Sequence, residues 1–207
     1  VILSLLGEST VSMPPDLMQR QWQQLDLANL HVVCGCGGGQ AIQPVLADVL
    51  AHSAQLVLDA DGLNAVAQDE ALAEALRQRG PKQPTVITPH PLEAARLLKT
   101  DTASIQNNRL QAAQDLADLF NCVVVLKGSG TVIAAPGQTP RINTSGNGKL
   151  AIGGTGDVLA GLMGARMAQG LNAFDAACTS VHQHGQAADA WPEGLALTAS
   201  LLTQALT

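Results

Sequence analysis

Aromatic residues are nearly absent: two Phe, two Trp and no Tyr among 207 residues, 2% of the chain. A core must then be built from Ala, Leu, Val and Gly, which favours close helix–sheet packing over aromatic anchoring. Charge is scarce as well, at 14% of residues with a formal net charge of −6. Single-stranded nucleic acid binders combine a basic groove with aromatic stacking platforms. Both are missing, so no nucleic-acid partner is expected. Any phosphate site has to be local, made of backbone N–H groups and one or two basic side chains. No apolar run reaches membrane-spanning length. Val1–Leu6 lacks the basic flank and small-residue cleavage site of a signal peptide, so no membrane partner is expected either.

Cysteine is sparse and wrongly spaced for a framework. One residue separates Cys34 from Cys36, whereas zinc pairs use about two to four, and no His pair sits at a matching offset. Cys122 and Cys178 read as small core residues. No protein-ligated metal is expected, and reduced thiols suit a cytoplasmic protein.

What is present is an alternation of short apolar runs with helical stretches, the pattern of an α/β layered fold. Strands are expected at Val1–Leu6, Leu30–Cys34, Gln55–Leu58, Thr85–Ile87, Val123–Leu126 and Thr131–Ala134. Several are continuous Val/Leu/Ile runs, as in parallel strands covered on both faces. Helices are expected over Ile42–His52, Asp69–Arg79, Leu92–Leu98, Ser104–Leu119, Asp157–Gln169 and Phe174–Ala190. Pro136–Gly148 reads as a loop. With no repeat or linker, residues 1–207 make one doubly wound domain. Its first residue is not Met and falls inside an expected strand, which suggests that an N-terminal piece is missing.

Three glycine turns and one histidine are the candidate chemistry. Gly153-Gly154-Thr155-Gly156-Asp157 precedes a helix, where free N–H groups and the dipole favour an anion. An Asp there repels phosphate, but it makes sense if it takes a proton from a hydroxyl attacking that phosphate. Otherwise Asp157 is a plain N-cap. Lys127-Gly128-Ser129-Gly130-Thr131 joins two apolar strands, either as an ordinary turn with a solvated Lys or as part of a nucleotide site; it lacks P-loop spacing. Gly35–Gly39 follows a strand but is only half a dinucleotide fingerprint. His90 is fixed between Pro89 and Pro91 at a strand's C-terminal end, where open parallel sheets bind ligands. It is either structural or a ligand contact. Asp59 and Asp61 are turn formers, with Asn64 as a cap, or paired carboxylates. Glu93 caps a helix or holds a metal through water. His182 and His184, two apart on a helix, face different ways and make no metal pair.

Gly153–Asp157 resembles the Gly-Asp signature of ribokinase-like enzymes. Leu58–Asn64, Thr88–Glu93, Leu126–Thr131 and Asn147–Gly161 occur in the order found in ADP-dependent NAD(P)H-hydrate dehydratases, and Cys34–Gly39 resembles that family's glycine turn. Cys36 stands where the family often has Pro, and Leu92 where it usually has Gly. The resemblance implies a mostly parallel central sheet with helices on both faces. It implies dehydration of NADHX and NADPHX, with ADP as co-substrate and Mg²⁺ bridging the nucleotide phosphates. Asp157 would be the catalytic base and, with Gly39 and His90, contact the hydrate. Lys127, Gly128, Ser129, Gly130, Thr131 and Gly156 would bind the nucleotide, and Gly153, Gly154, Thr155 and Gly156 would stabilise the moving phosphoryl. The family likeness also implies a homotetramer. A ribokinase-like vitamin-precursor kinase, or a non-catalytic adenine-nucleotide-binding module, are the alternatives.

Overall fold

The computed structural model describes residues 1–6 and 14–206. Its strands, in chain order, are β1 (Ile2–Leu5), β2 (Met18–Gln21), β3 (His31–Cys34), β4 (Gln55–Leu58), β5 (Thr85–Ile87), β6 (Val123–Leu126), β7 (Val132–Ala134) and β8 (Arg141–Ile142). β3 to β8 form one sheet in sequential order. It is parallel from β3 to β6 and antiparallel across β7 and β8. β1 and β2 pair in parallel as a separate two-stranded sheet.

Successive residues of the central strands enter opposite cores. Leu56, Leu58, Ile87, Val124 and Leu126 pack on one side, and Val57, Val86, Val123 and Val125 on the other. Burial on both faces is what makes these strands continuous apolar runs rather than alternating ones. The helices are α1 (Gln43–His52), α2 (Ala60–Gln68), α3 (Glu70–Arg79), α4 (Pro91–Leu97), α5 (Thr102–Asn107), α6 (Arg109–Phe120), α7 (Thr155–Ala168), α8 (Ala173–Asp189) and α9 (Ala199–Ala205). α1 to α6 supply the first core, through residues such as Leu46, Leu63, Leu76, Ala94, Ile105 and Leu116. α7 and α8 supply the second, through Ala160, Met163 and Ala177. The sheet therefore carries helices on both faces, as expected.

Several elements differ from the expectation, each for a local reason. The helix expected over Ser104–Leu119 is two helices, broken at Asn108, whose Oδ1 accepts the Gln111 N–H and caps α6. α2 was hidden by Asp-Ala-Asp-Gly, which has turn composition; here Asp59 is its N-cap, and Asn64 lies inside it and accepts from Arg96. β2 is a polar segment with no buried residue, and β8 is two exposed residues within the expected loop. Cys122 is buried, whereas Cys178 is only half-buried and lines a small cavity with Arg141 and His182. No helix among the described residues is long and apolar enough to cross a membrane.

Candidate active site

Four chain reversals meet at the C-terminal ends of the parallel strands. After β3, the Asp59 N–H donates to the Cys34 carbonyl at 3.0 Å and the Asp61 N–H donates to the Gly35 carbonyl at 3.1 Å. Gly35 has φ +102°, and a Cβ there would overlap the Asp59 carbonyl oxygen and lie 2.8 Å from the Gly62 nitrogen. Only glycine permits that approach. The Asp61 carboxylate then accepts the Gly39 N–H at 2.7 Å, fixing the far end of the same turn.

After β5, His90 is the N-cap of α4. Its Nδ1 accepts the N–H groups of Leu92 and Glu93 at 3.1 and 3.3 Å, and the Glu93 carboxylate accepts the His90 N–H at 2.7 Å. This is a capping box with His in the usual Ser or Thr position. Glu93 is buried within it, so of its two expected roles the structure has it capping the helix. The His90 side chain keeps 46% exposure.

After β6, the Lys127 N–H donates to the Pro89 carbonyl at 2.9 Å, joining this turn to the His90 turn. Arg109 donates to the carbonyls of Leu126 and Lys127 at 3.0 and 3.2 Å. Gly128 (φ +131°) and Gly130 (φ +62°) reverse the chain toward β7, and Thr131 closes the turn through its hydroxyl to the Gly128 carbonyl. The Lys127 ammonium is not free in solvent. It lies 2.6 Å from Oδ1 of Asp59, a carboxylate with 1% exposure.

The turn before α7 completes the group. Gly154, at φ +87°, is the N-cap and has no side chain to cap with. Thr155 is buried, and its hydroxyl is held by the Leu150 and Ile152 carbonyls. Asp157 is therefore the third helical residue rather than the N-cap, and among the described residues its carboxylate has no hydrogen-bond or ion-pair partner. An acid in the first turn suits the helix dipole. The ligand atoms of Cys36, Asp59 and Asp157 lie within 4.8 Å of one another. Burial pushes the Cys36 thiol up to about 12, reinforced by Asp59 and Asp157 and partly opposed by Lys127, so it is neutral.

A family model described as NAD(P)H-hydrate dehydratase matches residues 5–207. The chain belongs to that family. It is 42% identical over 173 residues to an ADP-dependent (S)-NAD(P)H-hydrate dehydratase of Neisseria meningitidis, covering 83% of this chain and 57% of that protein. It is 41% identical over 160 residues to a bifunctional NAD(P)H-hydrate repair enzyme of Escherichia coli, covering 76% of this chain and 29% of the other. The chain thus spans little more than half, or less, of these relatives' lengths. A solved structure of the ADP/ATP-dependent NAD(P)H-hydrate dehydratase of Bacillus subtilis, co-crystallised with ATP/Mg²⁺, matches with a TM-score of 0.74 and 30% identity. The match covers 93% of this chain and 70% of that one. The fold is the ribokinase-like α/β fold of this dehydratase family, as the glycine turns implied.

The geometry gathers Asp157, Gly156, Lys127 and the Cys36 turn into one place, and joins His90 to it through Pro89 and Lys127. Three contributors carry little signal in the sequence. Arg109 follows a helix break with nothing to mark it as a brace for the Lys127 turn. His184 looks like one packing residue among many, yet its Nε2 lies 2.9 Å from the Thr155 carbonyl. Asp59 read as a turn former or as half of a carboxylate pair with Asp61; the structure instead buries it against Lys127, while Asp61 holds the Gly39 N–H.

Proposed function

We propose that this NAD(P)H-hydrate dehydratase family member converts (S)-NADHX and NADPHX to NADH and NADPH, with ADP giving AMP and phosphate. The observation that carries the reading is the unpartnered Asp157 carboxylate in the first turn of α7, beside an ammonium at Lys127. A carboxylate used only as a cap would be hydrogen-bonded to the helix start. This one is left open to accept a proton.

Hydroxide is a poor leaving group and phosphate a good one. Asp157 takes the proton of the hydrate's ring hydroxyl as that oxygen attacks the terminal phosphoryl of ADP, and AMP departs. N–H groups of the Gly153–Gly156 turn and the Lys127 ammonium stabilise the charge on the transferring group. Loss of phosphate with a ring proton then restores the dihydronicotinamide. The Gly128–Thr131 turn binds the nucleotide, and Gly39 and His90 line the hydrate side.

The donor set bears on Mg²⁺. The Cys36 thiol is neutral and soft, so it is no partner for a hard cation. The exposed, unpaired Asp157 carboxylate suits one that keeps several of its own waters and would hold it through them, whereas Asp59 is buried and already paired with Lys127. When bound, Mg²⁺ neutralises nucleotide phosphate charge.

Incubating the protein with ADP and NADHX should restore the reduced-nicotinamide absorbance. Asp157→Ala should reduce turnover by roughly a thousandfold or more, as removal of a transition-state group does, while ADP binding stays within about threefold. A variant with near-normal turnover would remove Asp157 from this role, and no recovery with the unaltered protein would remove the activity.

A further inference from the structure

Asp59 is buried to 1% exposure and keeps a charge in the sheet's upper layer, where an ionised carboxylate is costly unless paired and hydrogen-bonded. Its Oδ1 accepts the Ala60 N–H at 2.9 Å and caps α2. Capping alone does not account for the residue, because Asn or Ser would cap as well without burying a charge. The backbone also concedes something here: Ala60, next in the chain, sits at φ +45°, a region that residues with a Cβ rarely adopt.

The partner of that charge is Lys127, 68 residues away on the turn after β6, at 2.6 Å. The ammonium has no other hydrogen-bond partner among the described residues and keeps 21% side-chain exposure, so its remaining N–H groups are available. It stands at the start of α7. A Cβ built on Gly156 would be 3.7 Å from Lys127 Nζ and 3.8 Å from Asp59 Oδ2. The flexible lysine stem would otherwise let the charge wander, since four rotatable bonds separate it from the backbone.

We propose that Asp59 is a positioning residue. It holds the Lys127 ammonium over the first turn of α7 so that the remaining N–H groups meet nucleotide phosphate oxygens. The proposal rests on the reading of Lys127 as a phosphate contact. Asp59 does not touch the nucleotide and acts through Lys127. Lys127 in turn neutralises Asp59, so of the two carboxylates only Asp157 is left unpaired.

The test is a double-mutant cycle read by calorimetric ADP binding, with Mg²⁺ present. Asp59→Asn and Asp59→Ser both keep an acceptor to cap α2 and remove the charge. Each should weaken ADP by at least about tenfold, the scale of a charge-assisted hydrogen bond. In a Lys127→Met background the same substitution should change ADP affinity less than about twofold. Equal weakening in both backgrounds would make Asp59 merely structural, and unchanged or tighter ADP binding in Asp59→Asn would overturn the proposal outright. Lys127→Met leaves a buried carboxylate unpaired and is the variant most exposed to misfolding. A second measurement therefore uses Asp59→Asn alone: the ADP constant should rise while the hydrate KM stays within about twofold, whereas collapse of α2 would raise both. ADP binding requires no turnover. Failure of the unaltered protein to convert NADHX would sink the proposed activity and leave the binding cycle to decide the role of Asp59.

Discussion

His184 Nε2 lies 2.9 Å from the Thr155 carbonyl oxygen, so the middle of α8 is hydrogen-bonded to the first residue of α7. Thr155 is also the residue whose hydroxyl ties the glycine turn to Leu150 and Ile152. One buried imidazole thereby braces the turn that presents Asp157. The carbonyl can only accept, so Nε2 carries the proton and donates.

That arrangement has a pH consequence. Burial pulls the His184 imidazole below its ordinary 6.5, with the Thr155 bond opposing. The unfolded chain therefore binds a proton at higher pH than the folded one. This destabilising proton uptake is absent well above 6.5 and grows as pH falls toward the lowered native value. Melting temperatures measured near pH 7.5 and near pH 5.5 should fall less in His184→Gln, which keeps an N–H donor but does not titrate. An equal acid loss in both proteins would show that His184 does not contribute.

Gly35 should be far less replaceable than Gly37, although both have positive φ, +102° and +68°. A Cβ on Gly37 meets open space, whereas one on Gly35 runs into the Asp59 and Gly62 backbone. Gly37→Ala should cost about 1 kcal/mol of backbone strain. Gly35→Ala should cost roughly 3 kcal/mol or more, since strain and overlap add. Urea denaturation midpoints compare the two directly. Similar losses would mean that the β3 turn yields to the added carbon.

The six-stranded sheet was largely legible because two-sided burial writes itself as unbroken Val and Leu, as at Val123–Leu126. The glycine turns were legible because positive φ and close approach leave few alternatives at Gly35 or Gly154. Pairing across distance was not. The turn composition around Asp59 resembles many solvated turns, and nothing local says that the fold carries Lys127 to it. α2 was obscured for the same reason: its cap and Gly62 read as a reversal, and the helix is held by tertiary packing of Leu63 and Val66. The Asn108 break illustrates the opposite limit, where one side-chain cap outweighs sixteen residues of helical pattern.

His90 has two separable tasks in the proposed site, capping α4 and contacting the hydrate. Asn caps helices well but does not replace the 3.3 Å contact of the imidazole Nε2 with the buried Glu93 carboxylate, so His90→Asn should cost about 1 kcal/mol. It should still raise the hydrate KM by roughly tenfold, because the exposed imidazole edge is gone. Chemical denaturation and steady-state kinetics read the two tasks apart. A large stability loss with an unchanged KM would leave His90 as a helix cap only.

Cys36 is half-exposed beside two carboxylates, and its thiol is pushed up to about 12. Thiolate is the reactive form. Between about pH 7 and pH 10 its alkylation rate should therefore climb roughly tenfold per pH unit without levelling, where an ordinary thiol levels above about 8.5. The neighbouring carboxylates add a second signature. Anionic iodoacetate should react more slowly at Cys36 than neutral iodoacetamide, relative to the same ratio for a simple thiol, because Asp157 and Asp59 lie within 4.8 Å of the sulfur and only one of them is paired. Mass spectrometry of the alkylated peptide against pH and reagent charge gives both numbers. A plateau near neutral pH would mean that Lys127 favours the Cys36 thiolate more than burial and the two carboxylates oppose it, and the charge balance drawn around Asp157 would then have the wrong sign.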